Sequence, residues 1–195
     1  MSLKFGILGI LSQKPQTGYE LKDSFNGSIG YFWNAKFQQI YQELARMERE
    51  AMVTAETVPQ LGKPAKKVYS ITREGEAALA AWLEKPPATY ATRDELLLKL
   101  FCCQRMAPER ALEHLETYRA RHEERLEQYR AIEARFREAG WVTDEHVDEA
   151  ALGPYLTLKR GILYQESTIE WCKWATALVR RQAGRAPKGG RGRLP

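Results

Sequence analysis

Along most of this chain the apolar residues return at three- and four-residue steps, the spacing of helices that each bury one stripe. The rhythm breaks between Met52 and Thr72, where short β-branched and aromatic runs take over. The first apolar run, Leu3 to Leu11, fits a buried helix or a strand by periodicity alone. Thr17 and Glu20 then make a capping-box pair for a helix through about Phe25, so the chain opens as helix, short turn, helix. Gly27-Ser28-Ile29-Gly30 stops that helix, and Asn34 is suited to cap a third. In this third helix Phe37, Ile40, Leu44, Met47 and Ala51 form the stripe that must be buried. Met52 to Val58 and Ala65 to Thr72 read as strands, and Pro59 to Pro64 as the turn between them. Thr72 can cap a fourth helix with Ala78, Leu79, Trp82 and Leu83 on its apolar face, and Pro86-Pro87 ends it.

The remainder is helical in another style. Thr92 and Glu95 offer a capping box for Arg93 to about Cys103, with Leu96, Leu97, Leu100 and Phe101 buried. Pro108 opens a helix to about Glu138, roughly 45 Å long, in which Leu115, Tyr118, His122, Leu126, Tyr129, Ile132 and Phe136 keep helical spacing. The last helix, about Pro154 to Arg181, carries Tyr155, Leu158, Ile162 and Ile169 on one side and Leu163, Tyr164, Trp171, Trp174 and Leu178 around it. A helix apolar nearly all round needs more partners than this chain supplies, which predicts a homodimer. Leu115, His122, Tyr129, Leu158, Ile162, Ile169 and Trp174 are the expected dimerisation residues.

The order helix, helix, helix, hairpin, helix is that of a winged helix-turn-helix. The expected fold class is mainly α, with an α+β N-terminal part. Residues 1–85 form a winged helix-turn-helix DNA-binding domain with a two-stranded wing, 86–181 an α-helical dimerisation domain with long helices, and 182–195 a basic tail of disorder-prone composition. Lys36, Gln38, Gln39 and Gln42 crowd the first turns of the third helix, where a helix laid in a major groove brings side chains to base edges, and Asn34 at its start joins them as an expected DNA contact. Glutamine pairs bidentately with adenine, and lysine donates to guanine or phosphate. From Thr57 to Arg73 there is no acidic residue, while Lys63, Lys66, Lys67 and Arg73 are cationic, so the wing suits a phosphate backbone.

Composition narrows the classes. The net charge is +5, but residues 1–84 carry 10 basic and 9 acidic groups, 85–179 carry 14 and 16, and 180–195 carry 6 and none. The excess therefore lies in the tail, and only the local strip on the wing speaks for nucleic acid. Cys102, Cys103 and Cys172 make neither a disulfide framework nor a metal spacing, and His114, His122 and His146 have no ligand spacing either. No metal or cofactor is assigned. No phosphate-binding loop, dinucleotide fingerprint or nucleophile elbow is present, so no catalytic residue is assigned. The hydrophobic stretches are too short and too charged to span a bilayer, and the opening Met1-Ser2-Leu3-Lys4 lacks a signal-peptide pattern, which predicts a cytoplasmic protein.

The chain also resembles the PadR-like transcriptional regulators. The resemblance is carried by the Leu-Gly-Ile-Leu type first helix, Thr17-Gly18-Tyr19-Glu20-Leu21, Gln39-Ile40-Tyr41-Gln42-Glu43-Leu44, Met47-Glu48-Arg49-Glu50, and Lys67-Val68-Tyr69-Ser70-Ile71-Thr72 with Gly75 beyond. One departure is Ala51, where the family usually has glycine. The segments Leu158 to Tyr164 and Ile169 to Cys172 resemble the C-terminal helix of the longer members, which implies a dimerisation half. The resemblance implies a dimeric, sequence-specific regulator, by expectation a repressor, on an inverted-repeat operator in double-stranded DNA. It supports Tyr19 and Tyr69, in the Gly-Tyr and Val-Tyr motifs, as phosphate holders beside the wing lysines Lys63, Lys66 and Lys67. It also implies a small aromatic or phenolic effector, for which Arg160, Tyr164 and Trp171, with Glu166 nearby, are the candidates. Trp and Tyr on a dimer helix are, however, more usually interface core than a ligand site. The rival readings are a winged-helix protein-interaction adaptor and an activator without ligand.

Overall fold

The computed structural model divides into two compact units, residues 1–89 and 90–195, and the structure describes residues 3–25, 29, 36–60, 62–87 and 93–184. The first unit runs α1 (Leu3–Leu11), β1 (Gln16–Thr17), α2 (Gly18–Ser24), α3 (Phe37–Arg49), β2 (Val53–Gln60), β3 (Lys63–Ile71) and α4 (Arg73–Leu83). This is the winged helix-turn-helix order. The ambiguous first run is a helix, with Ile7, Leu8, Ile10 and Leu11 all buried. Leu21 from α2 and Phe25 at its C-cap, Ile40, Leu44 and Met47 from α3, and Val53 and Tyr69 from the sheet complete one core around it. Full burial of each large aliphatic side chain there contributes about 1.5–3 kcal/mol, which fixes the angle at which α3 is presented.

The caps set the boundaries. Thr17 Oγ1 accepts from the Glu20 amide at 3.2 Å and the Glu20 carboxylate accepts from the Thr17 amide at 2.7 Å, the capping box expected from sequence. α3 starts at Phe37, later than expected. Lys36 is its cap residue, and the Lys36 amide donates to Gln39 Oε1 at 2.9 Å. Asn34, expected as the cap, lies outside the described residues. The expected α3 stripe also needs correction at both ends. Ile40, Leu44 and Met47 are buried, but Phe37 is 47% exposed and Ala51 is exposed.

The sheet has three strands in the order β1-β3-β2, all antiparallel. β1 went unread because two residues carry no period; it pairs Gln16 with Tyr69 and Thr17 with Val68. The wing strands reach further than expected into the proline-bounded segment, with Pro59 and Gln60 ending β2 and Lys63 and Pro64 opening β3. Gly62, at φ 70°, supplies the left-handed turn residue.

The joint between α3 and β2 is a Schellman motif. The Met52 amide donates to Met47 O at 2.9 Å and the Ala51 amide to Glu48 O at 3.2 Å. Ala51 occupies the left-handed position at φ 55°. Thr72 ties this joint to the next helix: its hydroxyl donates to Ala51 O at 2.7 Å and accepts from the Gly75 amide at 3.0 Å, and its own amide donates to Met52 O at 3.1 Å. A Cβ on Gly75 would lie 2.2 Å from Met52 O, so only glycine lets α4 approach this closely.

The second unit holds α5 (Glu95–Phe101), a 3₁₀ turn at Cys103–Arg105, α6 (Pro108–Glu138) and α7 (Glu149–Ala183). α5 is capped by Asp94, whose Oδ1 accepts from the amides of Leu96 at 2.8 Å and Leu97 at 3.3 Å; Thr92, the expected cap, lies outside the described residues. Leu96 is buried as expected, but Leu97 and Phe101 are exposed. Seven residues make fewer than two turns, too few to turn all four apolar side chains inward. α6 matches the expected bounds, whereas α7 begins at Glu149 and takes Pro154 inside it. Proline is tolerated so near a helix start because only one backbone bond is forfeited.

α6 and α7 lie antiparallel. Arg180 donates to Glu116, the His122 ring bonds Gln165, and Tyr155 and Lys159 both donate to Glu133, at successively opposite positions of the two helices. The seam between them holds Leu115, Tyr129, Leu158, Ile162 and Ile169, each at most 6% exposed within a single chain. These five were expected at a dimer contact; they are the core of the helical hairpin, because an antiparallel partner from the same chain reaches them first. His122 is half-buried in the same seam, and Trp174 remains exposed. The basic tail lies beyond the described residues apart from its first three, Gln182 to Gly184.

Candidate nucleic-acid interface

Four of the expected DNA contacts share the exposed start of α3. Lys36, Gln38, Gln39 and Gln42 all face solvent. Gln39 differs from the others because its amide oxygen is spent on the Lys36 backbone, an N3 capping role that the glutamine-rich pattern concealed. Gln38 and Gln42 have no such tie among the described contacts.

Beside this helix a groove of about 470 Å³ opens between α2, α3 and β3, lined by Gly18, Tyr19, Tyr41, Lys66, Lys67 and Tyr69 among others. Gly18 shapes it. A Cβ there would fall 2.5 Å from the Tyr41 hydroxyl, so the glycine admits the Tyr41 ring against the start of α2. Tyr19 stands out at 62% exposure, with Lys22 Nζ 5.4 Å from its ring centre and 5.6 Å from that of Phe37. Phe37 and Tyr41 meet edge to face at 4.6 Å. Sequence reasoning placed Phe37 in the core and left Tyr41 and Lys22 without a role. The signal for Tyr41 was the recurrence of Gly-Tyr and Ile-Tyr in one fold unit, which needs the tertiary contact to interpret.

The wing lysines are less free than an acid-free stretch of sequence suggested. Lys67 Nζ donates to Glu48 of α3 at 2.8 Å and lies 5.4 Å from the Tyr69 ring centre. The hydrogen bond to Glu48 holds the Lys67 ammonium above its ordinary pKa, so it stays charged. Tyr69 is 5% exposed, and burial pushes its phenol upward, so it meets the groove as a neutral wall. Lys66 is exposed. Glu20 also borders the groove, where the Thr17 backbone and hydroxyl hold its carboxyl below the usual range. The Lys63 side chain lies outside the described residues.

In the helical unit, Arg160 sits 5.4 Å from the Tyr164 ring centre on the exposed side of α7. Glu166 is paired with Arg130 at 2.9 Å, and Trp171 is half-buried. A separate groove of about 440 Å³ lies between α5 and α6, next to Tyr118, whose hydroxyl donates to Asp94 at 2.8 Å. Arg160, Tyr164 and Trp171 do not line it. Among the described residues no cluster of histidine, cysteine or carboxylate side chains is grouped to hold a metal, and no helix is long and apolar enough to cross a membrane.

Residues 7–81 match the family profile described as Transcriptional regulator PadR-like family, and residues 92–180 match Virulence activator alpha C-term. The Mycobacterium tuberculosis protein named "Probable transcriptional regulator Rv1176c" is 36% identical over 88% of this chain and 94% of its own. This chain belongs to the PadR-like transcriptional regulators. Among solved members, Bacillus subtilis PadR in complex with operator DNA superposes with a TM-score of 0.79 at 25% identity, covering 92% of this chain and 99% of that one. The same Bacillus protein in complex with p-coumaric acid matches in fold, with a TM-score of 0.73 at 23% identity over 91% and 95% of the two chains. The Vibrio cholerae virulence activator AphA superposes with a TM-score of 0.76 at 32% identity over 93% and 100%. The PadR-like fold expected from sequence, a winged helix followed by long helices, is thus the fold found.

Proposed function

We propose that this PadR-like protein acts as a homodimer on an inverted-repeat operator in double-stranded DNA, in the cytoplasm and without catalysing a reaction. The observation that carries this reading is the solvent-facing glutamine edge of α3 beside a groove walled by Lys66 and Lys67. It takes its direction from Bacillus subtilis PadR, solved on operator DNA. Gln38 and Gln42, with Lys36, read base edges; Tyr19, Lys66 and Lys67 hold phosphates, and Tyr69 backs the Lys67 ammonium. Gln39 sets the start of the reading helix.

Dimerisation follows from what α7 leaves uncovered. Leu152, Leu156, Leu163 and Trp174 on α7, and Leu97, Leu98 and Phe101 on α5, are all 46% exposed or more. That much exposed apolar surface favours a second chain. Two reading helices related by a dyad then meet successive major grooves about 34 Å apart. The repressor reading rests on the likeness to the Bacillus subtilis "Negative transcriptional regulator PadR", 28% identical over 91% of this chain and 97% of that one, and release by a small aromatic acid on that protein solved with p-coumaric acid. Arg160 beside Tyr164 offers a cation and a ring for such a ligand, and Trp171 lies about two turns beyond Tyr164 on the same helix. The likeness to AphA, a virulence activator, favours activation as the second reading.

Gel shift of the full protein on its own promoter, over a salt series and against random duplex, tests the reading. Lys66→Ala with Lys67→Ala weakens binding to every duplex and lowers the salt slope by about two. Gln38→Ala changes sequence preference. A monomer by sedimentation, or no salt-sensitive complex that resists competitor, overturns it in favour of a protein-binding adaptor.

A further inference from the structure

We infer that Phe37 is a specificity-determining residue that reads the C5-methyl group of a thymine in the operator. The inference rests on the DNA-binding reading above and adds an apolar contact to its amides. Phe37 is the first residue of α3, in the turn that a recognition helix brings nearest to base edges. It leaves the buried stripe: Ile40, Leu44 and Met47 are 1% exposed or less, while Phe37 is 47% exposed. An aromatic ring left in water at that position has a hydrophobic contact still to make.

The ring is also held. Tyr41, one turn on, meets it edge to face at 4.6 Å, and Tyr41 is itself seated over Gly18. Lys22 Nζ lies 5.6 Å from its centre, so a cation accompanies the ring and satisfies nearby phosphate as the ring approaches the groove. The exposed neighbours Lys36 and Gln38 bracket Phe37 in sequence, which places the ring among the polar readers. Thymine is the base that presents a methyl group in the major groove, and phenylalanine is among the side chains that contact it.

The test replaces each thymine of the selected operator half-site by deoxyuridine, one at a time, which removes only the methyl group. Wild-type protein should lose about four-fold in affinity at one thymine, the value of one buried methyl group. Phe37→Ala should be indifferent to that substitution while keeping the wild-type response elsewhere, and Phe37→Leu should recover part of the methyl sensitivity. Thermal melting of the variants checks that they are folded, as expected for an exposed position. If wild-type protein binds the operator specifically yet no uracil substitution matters, or if Phe37→Ala keeps the full penalty, the methyl contact is refuted and the DNA-binding reading survives. If wild-type protein forms no specific complex at all, both fall together.

Discussion

Ala51→Gly should make the protein more stable, although it deletes a methyl group. Ala51 sits at φ 55°, the left-handed position of the Schellman motif that ends α3. A residue with a Cβ there costs about 1–2 kcal/mol relative to the right-handed region. Glycine removes that strain but gives the unfolded chain more freedom, which costs about 0.4–1 kcal/mol. Ala51 is exposed, so no burial is lost with the methyl group. The net gain lies between about 0 and 1.6 kcal/mol. It is read as a shift in urea midpoint of the full chain at unchanged slope, and as a rise of a few degrees in melting temperature. Ala51→Val, whose branched side chain fits the left-handed region badly, should fall by more than the alanine strain. Operator affinity should stay level in Ala51→Gly, since Ala51 does not line the groove. A glycine variant less stable than wild type would mean that α3 does not end in this motif, and the path from α3 into the wing would have to be redrawn.

Gly75→Ala should behave oppositely, because its Cβ would meet Met52 O at 2.2 Å and Ile71 Cγ1 at 2.9 Å; a loss of about 1–3 kcal/mol or more in urea unfolding is expected. Glu48→Gln releases Lys67 from its 2.8 Å ion pair and removes a negative charge near the groove, so affinity for any duplex at low salt should rise up to about five-fold in a gel shift. Asp94 is worked on by burial, which raises its pKa, but the Tyr118 hydroxyl and the Leu97 and Leu96 amides outweigh that and lower it. A carboxyl lowered by folding contributes stability above its unfolded pKa near 4 and loses it as pH falls through the folded value. Wild-type stability should therefore decline from about pH 5 downward more steeply than that of Asp94→Asn, which caps without titrating, whereas Asp94→Ala should cost about 1 kcal/mol of the cap already at pH 7.

What was legible before the structure was whatever repeats. Ile40, Leu44 and Met47, or the positions along α6, recur often enough for periodicity to place them, and Thr17, Glu20 and Thr72 advertise caps through local chemistry alone. β1 is too short to have a period, and its existence depends on Tyr69 and Val68 arriving from fifty residues away. The same limit explains the binding face. The wing lacks acids along the chain, but Glu48 reaches Lys67 through space. Phe37 obeyed the apolar spacing and still ended outside, because α3 begins with it and the core does not extend that far. Leu115, Tyr129, Leu158, Ile162 and Ile169 have the spacing of an apolar stripe in need of a partner; periodicity shows that a stripe is covered, not whether the covering helix comes from the same chain.

The Thr72 hydroxyl, which touches Ala51 and Gly75 at once, has a mechanical consequence. One side chain rivets the tail of the α3 rod, the root of the hairpin and the head of α4 to one another. A displacement of the hairpin root is therefore resisted by the end of α3 and by the start of α4, because the same hydroxyl bonds both. New target preferences are accordingly easiest to acquire at the far tip of the rod, where substitutions leave the rivet untouched.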